Sequence, residues 1–560
     1  MKYLSIVMAV IVASAVVPGC KKAAEGNMVD LVLVNGKVWT GDAARPWAEA
    51  VAVRDTKIFA VGKTADLRVL AGPGTKLIDC GGSLVLPGFI DSHTHFLAGG
   101  FALKSIQLRE AKSREEFVAL IAAKAKELGP GRWIVNGDWD HQQFTPVELP
   151  RKDWIDAATP DNPVCINRFD GHMILANSLA LKLAGVTRDT PVPPGGEIVK
   201  DPATGEPTGI LKDEAMGFVY AKIPDATFDE NLEAAEASIR HAAENGVTSV
   251  NEMADATSLA VFQELDRRGR LTTRVNVYIP ISEVGTLARL KVKSPFGGPH
   301  VTLAGLKAFM DGSLGSATAY FFEPYSDDPT TSGILNGQMF PEGIMEERIL
   351  EADKAGLQLA VHAIGDRANG LLLDMFEKAA AQNGLRDRRW RVEHAQHFRP
   401  ADIARFGRLG LVASVQPYHA IDDGRWAETK IGPERVKTTY AFESLRRAGA
   451  TLAFGSDWTV APLVPILGIY AAVTRRTLDG KNPGGWVPEE KVSIEEAVRA
   501  YTTNGAWAQF AEASKGSIEP GKLADLVVLD RDIFAAPPEE IERAKVRLTV
   551  FDGRVVYGKD

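Results

Sequence analysis

Residues 86–95 read LPGFIDSHTH, an apolar run that ends in the pair His93 and His95. In a β-strand the side chains of residues i and i+2 point to the same face, so both imidazoles lie on one side of the strand. Two histidines on one face can share a metal ion, although two ordinary polar residues at a strand end would give the same pattern. The stretch therefore predicts a strand with a candidate metal site at its carboxyl end.

Three further apolar runs end in residues that bind metals. His362 ends the run 357–362, His394 ends the short segment 391–394, and Asp457 ends the run 450–457. In a (β/α)₈ barrel of about 250 residues one strand-helix repeat takes roughly 31 residues. One such repeat separates His362 from His394, and two separate His394 from Asp457. The three residues are thus predicted at the carboxyl ends of strands five, six and eight, where active sites of such barrels are built.

Lys307 lies late in the run 301–309, which supplies strand four of the predicted barrel. A neutral lysine amine at the barrel mouth can react with carbon dioxide, and the resulting carbamate can bridge two metal ions. A lysine at the surface or in a salt bridge is the ordinary alternative, and the residues themselves leave both open. The segment between His95 and Lys307 is longer than three repeats require, which predicts an insertion within residues 99–229 that covers the mouth.

Both ends of the chain contain short apolar segments with a period of two residues. They are residues 31–34, 36–39, 50–53, 57–61, 76–79, 524–529, 546–551 and 552–557. The pair Asn35-Gly36 stands between two apolar runs and predicts a β-hairpin in a small antiparallel sheet. The predicted fold class is therefore α/β, a TIM barrel over residues 88–508 with a small β-sandwich built from residues 28–87 and 509–560.

The first residues are predicted to be an export signal. Lys2 precedes an uncharged apolar stretch, and Val17-Pro18-Gly19-Cys20 resembles a bacterial lipobox. We expect residues 1–19 to be a lipoprotein signal peptide, Cys20 to be lipidated and residues 20–27 to be a linker. The expected location is the periplasmic face of the outer membrane. Cleavage after Ala13-Ser14-Ala15, giving a soluble periplasmic or secreted protein, and a retained anchor are the alternatives.

Composition narrows the classes of partner and cofactor. The 64 Lys and Arg against 72 Asp and Glu give a net charge of −8, which disfavours nucleic acid as a partner. The apolar fraction of 45% and the charged fraction of 24% are typical of globular proteins. Three cysteines are too few for a disulfide framework or an all-cysteine metal site. Any metal must therefore be bound by histidine and oxygen ligands.

The combined motifs resemble those of the amidohydrolase superfamily. The resemblance covers the chain from Met28 onward and rests on residues 87–95, His362, His394, residues 455–457 and the tail 516–526. Lys307 with residues 311–316, 170–172 and 416–419 is similar to the type 3 branch, which includes N-substituted formamide deformylases. The resemblance implies two divalent ions, expected to be zinc. His93 and His95 would bind one ion, His362 and His394 the other, carboxylated Lys307 would bridge them, and Asp457 would act as ligand and base.

The implied activity is hydrolysis of a non-peptide carbon–nitrogen bond, in an amide or N-formyl compound, through attack by a metal-bridging hydroxide. Asp457 would pass the proton of the attacking water to the leaving nitrogen. His172 and His419 are candidates for binding the substrate or its oxyanion, with His172 a second candidate for proton transfer, unless they are loop histidines that cap backbone groups. The expected partner is a small amide-type molecule, membrane contact would occur only through the lipid anchor, and a homodimer is left open.

Other functions in the same superfamily compete with this interpretation. The resembling deaminases have a glutamate three residues after the strand-five histidine, whereas this chain has Gly365 there, followed by Asp366. An esterase or lactonase also stays open, and a non-catalytic binding protein is disfavoured because every expected ligand is present. We expect four histidines to be structural: His141, His241, His300 and His397. Trp139, Tyr418 and Trp458 would either wall the mouth or pack in the core.

Overall fold

The computed structural model describes residues 29–254 and 256–558, so the predicted signal peptide, Cys20 and the linker 20–27 lie outside the described residues. The strands are β1 (Leu31–Val34), β2 (Lys37–Trp39), β3 (Trp47–Ala48), β4 (Ala50–Arg54), β5 (Lys57–Gly62), β6 (Lys76–Asp79), β7 (Leu84–Pro87), β8 (Phe89–Thr94), β9 (Ile134–Val135), β10 (Val164–Asn167), β11 (Met173–Ala176), β12 (Gly196–Lys200), β13 (Pro207–Asp213), β14 (Val247–Met253), β15 (Arg274–Pro280), β16 (Phe296–Gly297), β17 (Val301–Phe309), β18 (Leu359–Ala363), β19 (Arg391–His394), β20 (Val412–Val415), β21 (Thr451–Phe454), β22 (Leu526–Leu529), β23 (Val546–Phe551) and β24 (Arg554–Gly558).

The α-helices are α1 (Thr64–Arg68), α2 (Phe96–Ala102), α3 (Arg114–Leu128), α4 (Lys152–Ile155), α5 (Ser178–Ala184), α6 (Gly217–Tyr220), α7 (Phe228–Glu244), α8 (Ala256–Arg267), α9 (Val284–Leu290), α10 (Ile344–Ala355), α11 (Asp366–Asn383), α12 (Pro400–Leu409), α13 (Pro417–Asp423), α14 (Ala427–Arg435), α15 (Phe442–Arg447), α16 (Pro465–Thr474), α17 (Ile494–Ala500) and α18 (Thr503–Ala508). Within the described ranges, no helix combines the length and the apolar character needed to cross a membrane.

Eight parallel strands form a nearly closed barrel. Their order is β8-β14-β15-β17-β18-β19-β20-β21, and a parallel bridge between Thr94 and Trp458 joins the first strand to the segment after the last. The strands are almost entirely buried, as expected for a parallel sheet that helices cover from outside. The prediction of a TIM barrel is confirmed, with strands four to eight where the repeat placed them.

The barrel register brings the ends of neighbouring strands to one level. Phe309 of β17 pairs with His362 of β18, and Ala363 of β18 pairs with His394 of β19. Side chains at these carboxyl ends therefore face one common mouth, the position of the active site in this type of barrel.

The segment between α2 and α7 forms a second sheet with the strand order β12-β13-β11-β10-β9. It packs its own apolar cores, which include Ile166 and Leu175 on one side and Ile174 and Leu211 on the other. The loops at one end of this sheet reach the barrel mouth, because Asn167 and residues 169–172 line the same cavity as the barrel strand ends.

Both ends of the chain contribute to two small sheets that share an apolar core. The strand orders are β5-β4-β1-β6 and β24-β23-β22-β7-β2-β3. Leu33 and Val51 of the first sheet and Val85, Leu526 and Val550 of the second belong to one buried cluster. This is the small β-sandwich expected from the chain ends, while the predicted boundaries of the domains and of the insertion stay predictions.

The predicted hairpin at Asn35-Gly36 and the purely antiparallel sheet are wrong. β1 and β2 belong to different sheets, and β1 pairs with β6 and β2 with β7 in parallel orientation. Asn35 adopts a φ of 52°, so the turn is tight, but it carries the chain from one sheet to the other. All four residues of β1 are buried, so both faces of the strand are covered. This burial decided the pairing of β1, and a local turn motif contains no information about it.

Candidate active site

The structure places all six predicted metal-binding residues around one cavity of about 580 Å³ at the barrel mouth. They come from the ends of five barrel strands: His93 from β8 and His95 directly after it, Lys307 from β17, His362 from β18, His394 from β19 and Asp457 from the turn after β21. The ring centroids of His93 and His394 are 4.9 Å apart, and those of His362 and His394 are 4.5 Å apart. Residues separated by more than 350 positions in sequence thus meet at one point.

His93, His95 and Asp457 converge in a way that suits a metal ion. The Nε2 atoms of His93 and His95 lie 3.4 Å and 3.3 Å from Asp457 Oδ1. This oxygen is buried and has no hydrogen-bond partner within residues 29–254 and 256–558. A buried carboxylate oxygen without a partner is costly, and a divalent ion between these three atoms would satisfy it. The donor set of neutral imidazole and carboxylate is the one that zinc and similar ions prefer.

Glu393, which the sequence reasoning missed, orients His93. The Nδ1–H of His93 donates to Glu393 Oε2 at 2.5 Å, and Arg391 Nε donates to the other carboxylate oxygen at 2.7 Å. Burial opposes the charge of Glu393, yet Arg391 and His93 hold the pKa of this carboxyl well below its usual range. Burial also lowers the pKa of His93 to about 4. His93 is therefore neutral, with Nε2 presented to the cavity, as in metal sites where a carboxylate supports the ligating histidine.

Glu393 and His394 both face inward although they are neighbours in β19. Regular strand geometry would place them on opposite faces, but His394 has a φ of 70° and Ala395 a φ of 44°. The strand ends in this left-handed turn, which directs His394 to the mouth while Glu393 stays in the barrel interior. In the sequence, the only signal for Glu393 is its position next to the predicted ligand His394. Regular strand alternation predicts that the two side chains point to opposite faces, so this signal was not recognised.

The second predicted pair of ligands, His362 and His394, converges less closely on one point than His93 and His95 do. His394 Nδ1 lies 3.9 Å from Asp457 Oδ2 and 2.9 Å from Gln416 Oε1. His362 Nε2–H donates to the backbone carbonyl of Gly312 at 3.0 Å. The atoms of His394, His419 and Asp457 lie close enough together to hold an ion. The assignment of His362 and His394 to a second ion stays a prediction.

Lys307 is buried and lies beside the first group of ligands. Its Nζ is 3.5 Å from His93 Nε2 and 4.6 Å from the centroid of the Phe309 ring. Among the described residues it forms no salt bridge, so the alternative of a surface or salt-bridged lysine is disfavoured. Burial lowers the pKa of Lys307 to about 8, which increases the fraction of neutral amine that carboxylation requires. Carboxylation itself stays a prediction.

His172 and His419 approach the ligands from two other elements. His172 lies on the turn between β10 and β11, where its ring centroid is 5.1 Å from that of His362. Burial opposes its charge, but Asp213 at 2.5 Å raises the pKa of His172 to about 9. His419 of α13 stacks 6.4 Å from the His394 ring. Its Nε2 is buried without a partner in the described chain, and burial lowers its pKa.

Two buried carboxylates hold the turns that carry the ligands. Asp91 accepts from the backbone N–H groups of His93 and Ser456 at 3.1 Å and 2.9 Å. Asp311 accepts from Tyr320, Ile364 and Gly365. These bonds tie the ends of β8, β18 and β21 into fixed positions, so that the ligands are pre-oriented.

Asp366 is turned away from the mouth. Its carboxylate accepts from the backbone N–H of Phe322 at 2.9 Å, and it does not line the cavity. It therefore does not replace the deaminase glutamate.

The cavity has a large and a small part. The large part is lined by apolar and aromatic side chains, among them Val135, Phe169, Tyr220, Ile223 and Phe309. A second space of about 50 Å³ adjoins it on the other side of His172 and His362, against Leu314, Ile364 and Trp426. His362, His394 and Asp457 line both spaces, whereas His93, His95 and Lys307 line only the large one.

The remaining candidates do not line this cavity. Trp139 is buried and donates from Nε1 to Ile166 O at 2.9 Å. Trp458 packs against Phe96 and His241, and Tyr418 likewise contributes no wall. His141 lies 3.4 Å from Arg168 Nε, His397 bonds Thr439, and His300 bonds two aspartates. The packing alternative thus describes Trp139 and Trp458, which are buried.

Comparison with known proteins identifies the family. The model of the amidohydrolase family, type 3, matches residues 76–557. The chain therefore belongs to the amidohydrolase family, and the resemblance to its type 3 branch is confirmed. Family, barrel and ligand set together define a metal-dependent hydrolase.

Similar proteins span nearly the whole chain. Protein LONG AFTER FAR-RED 3 of Arabidopsis thaliana is 40% identical over 545 residues, covering 95% of this chain and 92% of that protein. N-substituted formamide deformylase of Arthrobacter pascens is 27% identical over 552 residues, covering 95% and 99%. The crystal structure of an uncharacterized metal-dependent hydrolase from Pyrococcus furiosus is 31% identical with a TM-score of 0.70, covering 90% and 99%.

Proposed function

We propose that this protein hydrolyses the carbon–nitrogen bond of small non-peptide amides or N-formyl compounds, with zinc as the metal. The observation that carries the proposal is the convergence of His93, His95 and Asp457 on one point that leaves Asp457 Oδ1 without a partner in the described chain. The similarity to an N-substituted formamide deformylase over nearly its full length supports the bond type.

The residues of the site divide the work of such a reaction. Ions held by His93, His95 and Asp457, and by His362, His394 and carboxylated Lys307, would polarise the carbonyl and make water acidic enough to act as nucleophile at neutral pH. Asp457, at the centre of the ligands, takes the proton of the attacking water and delivers it to the leaving nitrogen. Charged His172 donates a hydrogen bond to the substrate oxygen as negative charge develops there. His419 binds the substrate from the side of His394.

The shape of the cavity supports a short acyl group. His172, His362, His394 and Asp457 border both the space of about 580 Å³ and the space of about 50 Å³. The smaller space has less than a tenth of the volume of the larger one, so it suits the smaller of the two substituents of the substrate. The acyl substituent would enter the smaller space, and the amine, with an apolar or aromatic group, would lie against Phe169, Tyr220 and Ile223.

A panel of substrates tests this proposal. The zinc-loaded protein is assayed with one arylalkylamine carrying formyl, acetyl, butyryl or benzoyl groups, with matching esters and with heterocyclic amines. We expect the amine to be released fastest from the formyl or acetyl compound and rates to fall steeply with longer acyl groups. Turnover of the esters alone, or release of ammonia from the heterocycles, would contradict the proposal and favour an esterase or a deaminase.

We also propose that the protein works in the cell envelope as a lipoprotein on small-molecule substrates, with no nucleic-acid partner. The support is the segment 17–20 and the net charge of −8. Mass spectrometry of the protein from detergent-extracted membranes should show acyl chains on Cys20, and Cys20→Ser should shift the protein to the soluble periplasmic fraction. A wild-type protein without lipid would refute this localisation. Light scattering on the purified protein decides between a monomer and a homodimer.

A further inference from the structure

The sheet between α2 and α7 places a histidine and a carboxylate opposite each other at the barrel mouth. β11 and β13 are antiparallel and pair Met173 with Lys212, so the next pair toward the mouth is His172 and Asp213. The Asp213 backbone N–H donates to His172 O at 3.3 Å, and His172 Nδ1–H donates to Asp213 Oδ1 at 2.5 Å. The strand register therefore fixes this side-chain contact.

The surroundings of Asp213 are unfavourable for a carboxylate. A residue needed only for packing would not be expected there. It is buried, its Oδ2 has no hydrogen-bond partner in the described part of the chain, and its backbone has a φ of 44° and a ψ of −124°. Strained backbone of this kind is unfavourable and is concentrated at functional sites. The imidazole of His172 is the group that compensates the buried carboxylate.

The contact with Asp213 determines which atom of His172 is available to a substrate. Nδ1 is occupied, so Nε2, at the opposite edge of the ring, is the free group. His172 lines both the large and the small space, next to the predicted ligand His362. Nε2 is thus available where the reacting carbonyl would lie.

A second bond network fixes the same loop to the barrel. The carboxylate of Asp170 accepts from Ser313 Oγ and Ser316 Oγ, which belong to the loop after β17. Asp170 also accepts from the backbone N–H of His172 at 3.3 Å. The backbone of His172 is therefore fixed independently of Asp213, which leaves ring orientation as the specific contribution of Asp213.

We propose that Asp213 is a positioning residue that keeps Nδ1 of His172 protonated and directs Nε2 to the substrate, so that the segment outside the barrel completes the active site. The proposal rests on the proposed hydrolysis for its kinetic consequences. No bond to a metal is involved, since Asp213 acts only through His172.

A double-mutant cycle tests the coupling on the best substrate of the panel. Asp213→Asn should lower kcat by about 10- to 100-fold, the usual effect of removing a supporting carboxylate, with KM changed by less than about threefold. In a His172→Gln background the same substitution should cost nothing further, and Asp213→Glu should restore part of the rate. Glu214→Gln, which changes the neighbouring carboxylate, is the matched control and should leave kcat unchanged.

If the losses of kcat in the two single variants add up in the double variant, the proposal is overturned. It is also overturned if the lower kcat of Asp213→Asn is explained entirely by a lower thermal stability. A second measurement needs no substrate: ¹⁵N NMR of protein labelled in its histidines, with the His172 signals assigned by their absence in His172→Gln. The wild type should show protonated Nδ1, and Asp213→Asn should change this signal. A bare Nδ1 in the wild type would refute the dyad even if hydrolysis is confirmed, whereas a protein without turnover but with protonated Nδ1 would refute only the proposed function.

Discussion

The imidazole of His93 can present either ring nitrogen to the cavity, and Glu393 selects between them. The carboxylate accepts a hydrogen bond from Nδ1–H, with 2.5 Å between nitrogen and oxygen, which leaves Nε2 for a metal ion. Arg391 neutralises Glu393 from the other side, so the three buried side chains form one unit in the barrel interior. A change at Glu393 therefore acts on the site without touching the substrate.

Glu393→Gln should weaken metal binding by about 10- to 100-fold, because a neutral amide supports the basicity of His93 less than a carboxylate does. Competition with a zinc chelator measures the dissociation constant. Asp366→Asn is the control, since Asp366 is a carboxylate that is turned away from the cavity and accepts from the backbone N–H of Phe322. Equal metal affinity in wild type and Glu393→Gln would contradict the assigned role.

Asp457→Asn should keep the fold and lower turnover by about 10² to 10⁴, the contribution of a general acid–base group. An amide should lose more rate than an activated ester of the same acid, because only the amine needs a proton as the bond breaks. Steady-state kinetics on the two substrates measure the difference. Equal losses would show that Asp457 serves only as a ligand.

At the scale of elements, the position of His95 depends on how α2 packs. α2 begins directly after His95 and contacts α7 through Gly100, where a Cβ would lie 1.9 Å from the Ala234 carbonyl oxygen. Ser238 of α7 donates to Phe96 O and fixes the start of α2. The close approach of the two helices therefore holds the loop that carries a predicted metal ligand.

Gly100→Ala should reduce the free energy of unfolding by about 1 to 3 kcal/mol, since the added methyl group overpacks a backbone contact. It should also reduce activity, because α2 must move away from α7. Gly217→Ala is the control: Gly217 has a φ of −55° and open space at its Cβ position. Urea unfolding measures the free energy of unfolding of both variants. An unchanged value for Gly100→Ala would show that the two helices can move apart at no cost.

At the scale of the whole molecule, the barrel is joined to the C-terminal strands by charged groups. Arg274 at the start of β15 donates to Asp525 Oδ2 at 2.7 Å. His300 bonds Asp266 at the end of α8 and Asp552 in the turn after β23, at 2.7 Å and 2.6 Å. His300 thus connects the barrel to the small β-sandwich.

The His300 contact should make stability depend on pH. The bond to Asp552 above all, with that to Asp266, raises the pKa of His300. A folded-state pKa above the unfolded value of about 6.5 adds stability that is complete below that pH and is lost as the pH rises through the folded value. The Tm difference between wild type and His300→Gln should therefore be largest near pH 6 and smaller near pH 9, by calorimetry.

His241→Gln provides the opposite case. Burial lowers the pKa of His241, so its contribution to stability should be lost as the pH falls. The same calorimetric series should give a difference that shrinks toward low pH. A His300→Gln difference that does not vary with pH would contradict the assigned link between barrel and sandwich.

The barrel and the strand-end positions of most candidate ligands were predictable from the sequence because they follow periodic rules. Strand alternation places His93 and His95 on one face, and the strand-helix repeat places His362, His394 and Asp457 at strand ends. Each rule needs only local spacing and the burial of apolar runs. These rules depend only on residues that are close in sequence, so they can be read before the fold is known.

Contacts between distant segments were decided only by the tertiary structure. Asp213 reaches His172 through the register of two strands. Glu393 bonds His93 over 300 positions of sequence, and His394 points to the mouth because it adopts a left-handed turn. The pairing of β1 with β4 and β6, rather than with β2 across Asn35-Gly36, likewise follows from a core shared by both chain ends. The sequence by itself determined the barrel and the strand-end candidates His93, His95, His362, His394 and Asp457. The residues that support these candidates, such as Asp213 and Glu393, take their positions from packing between distant segments. A local sequence pattern does not determine the free energy of that packing.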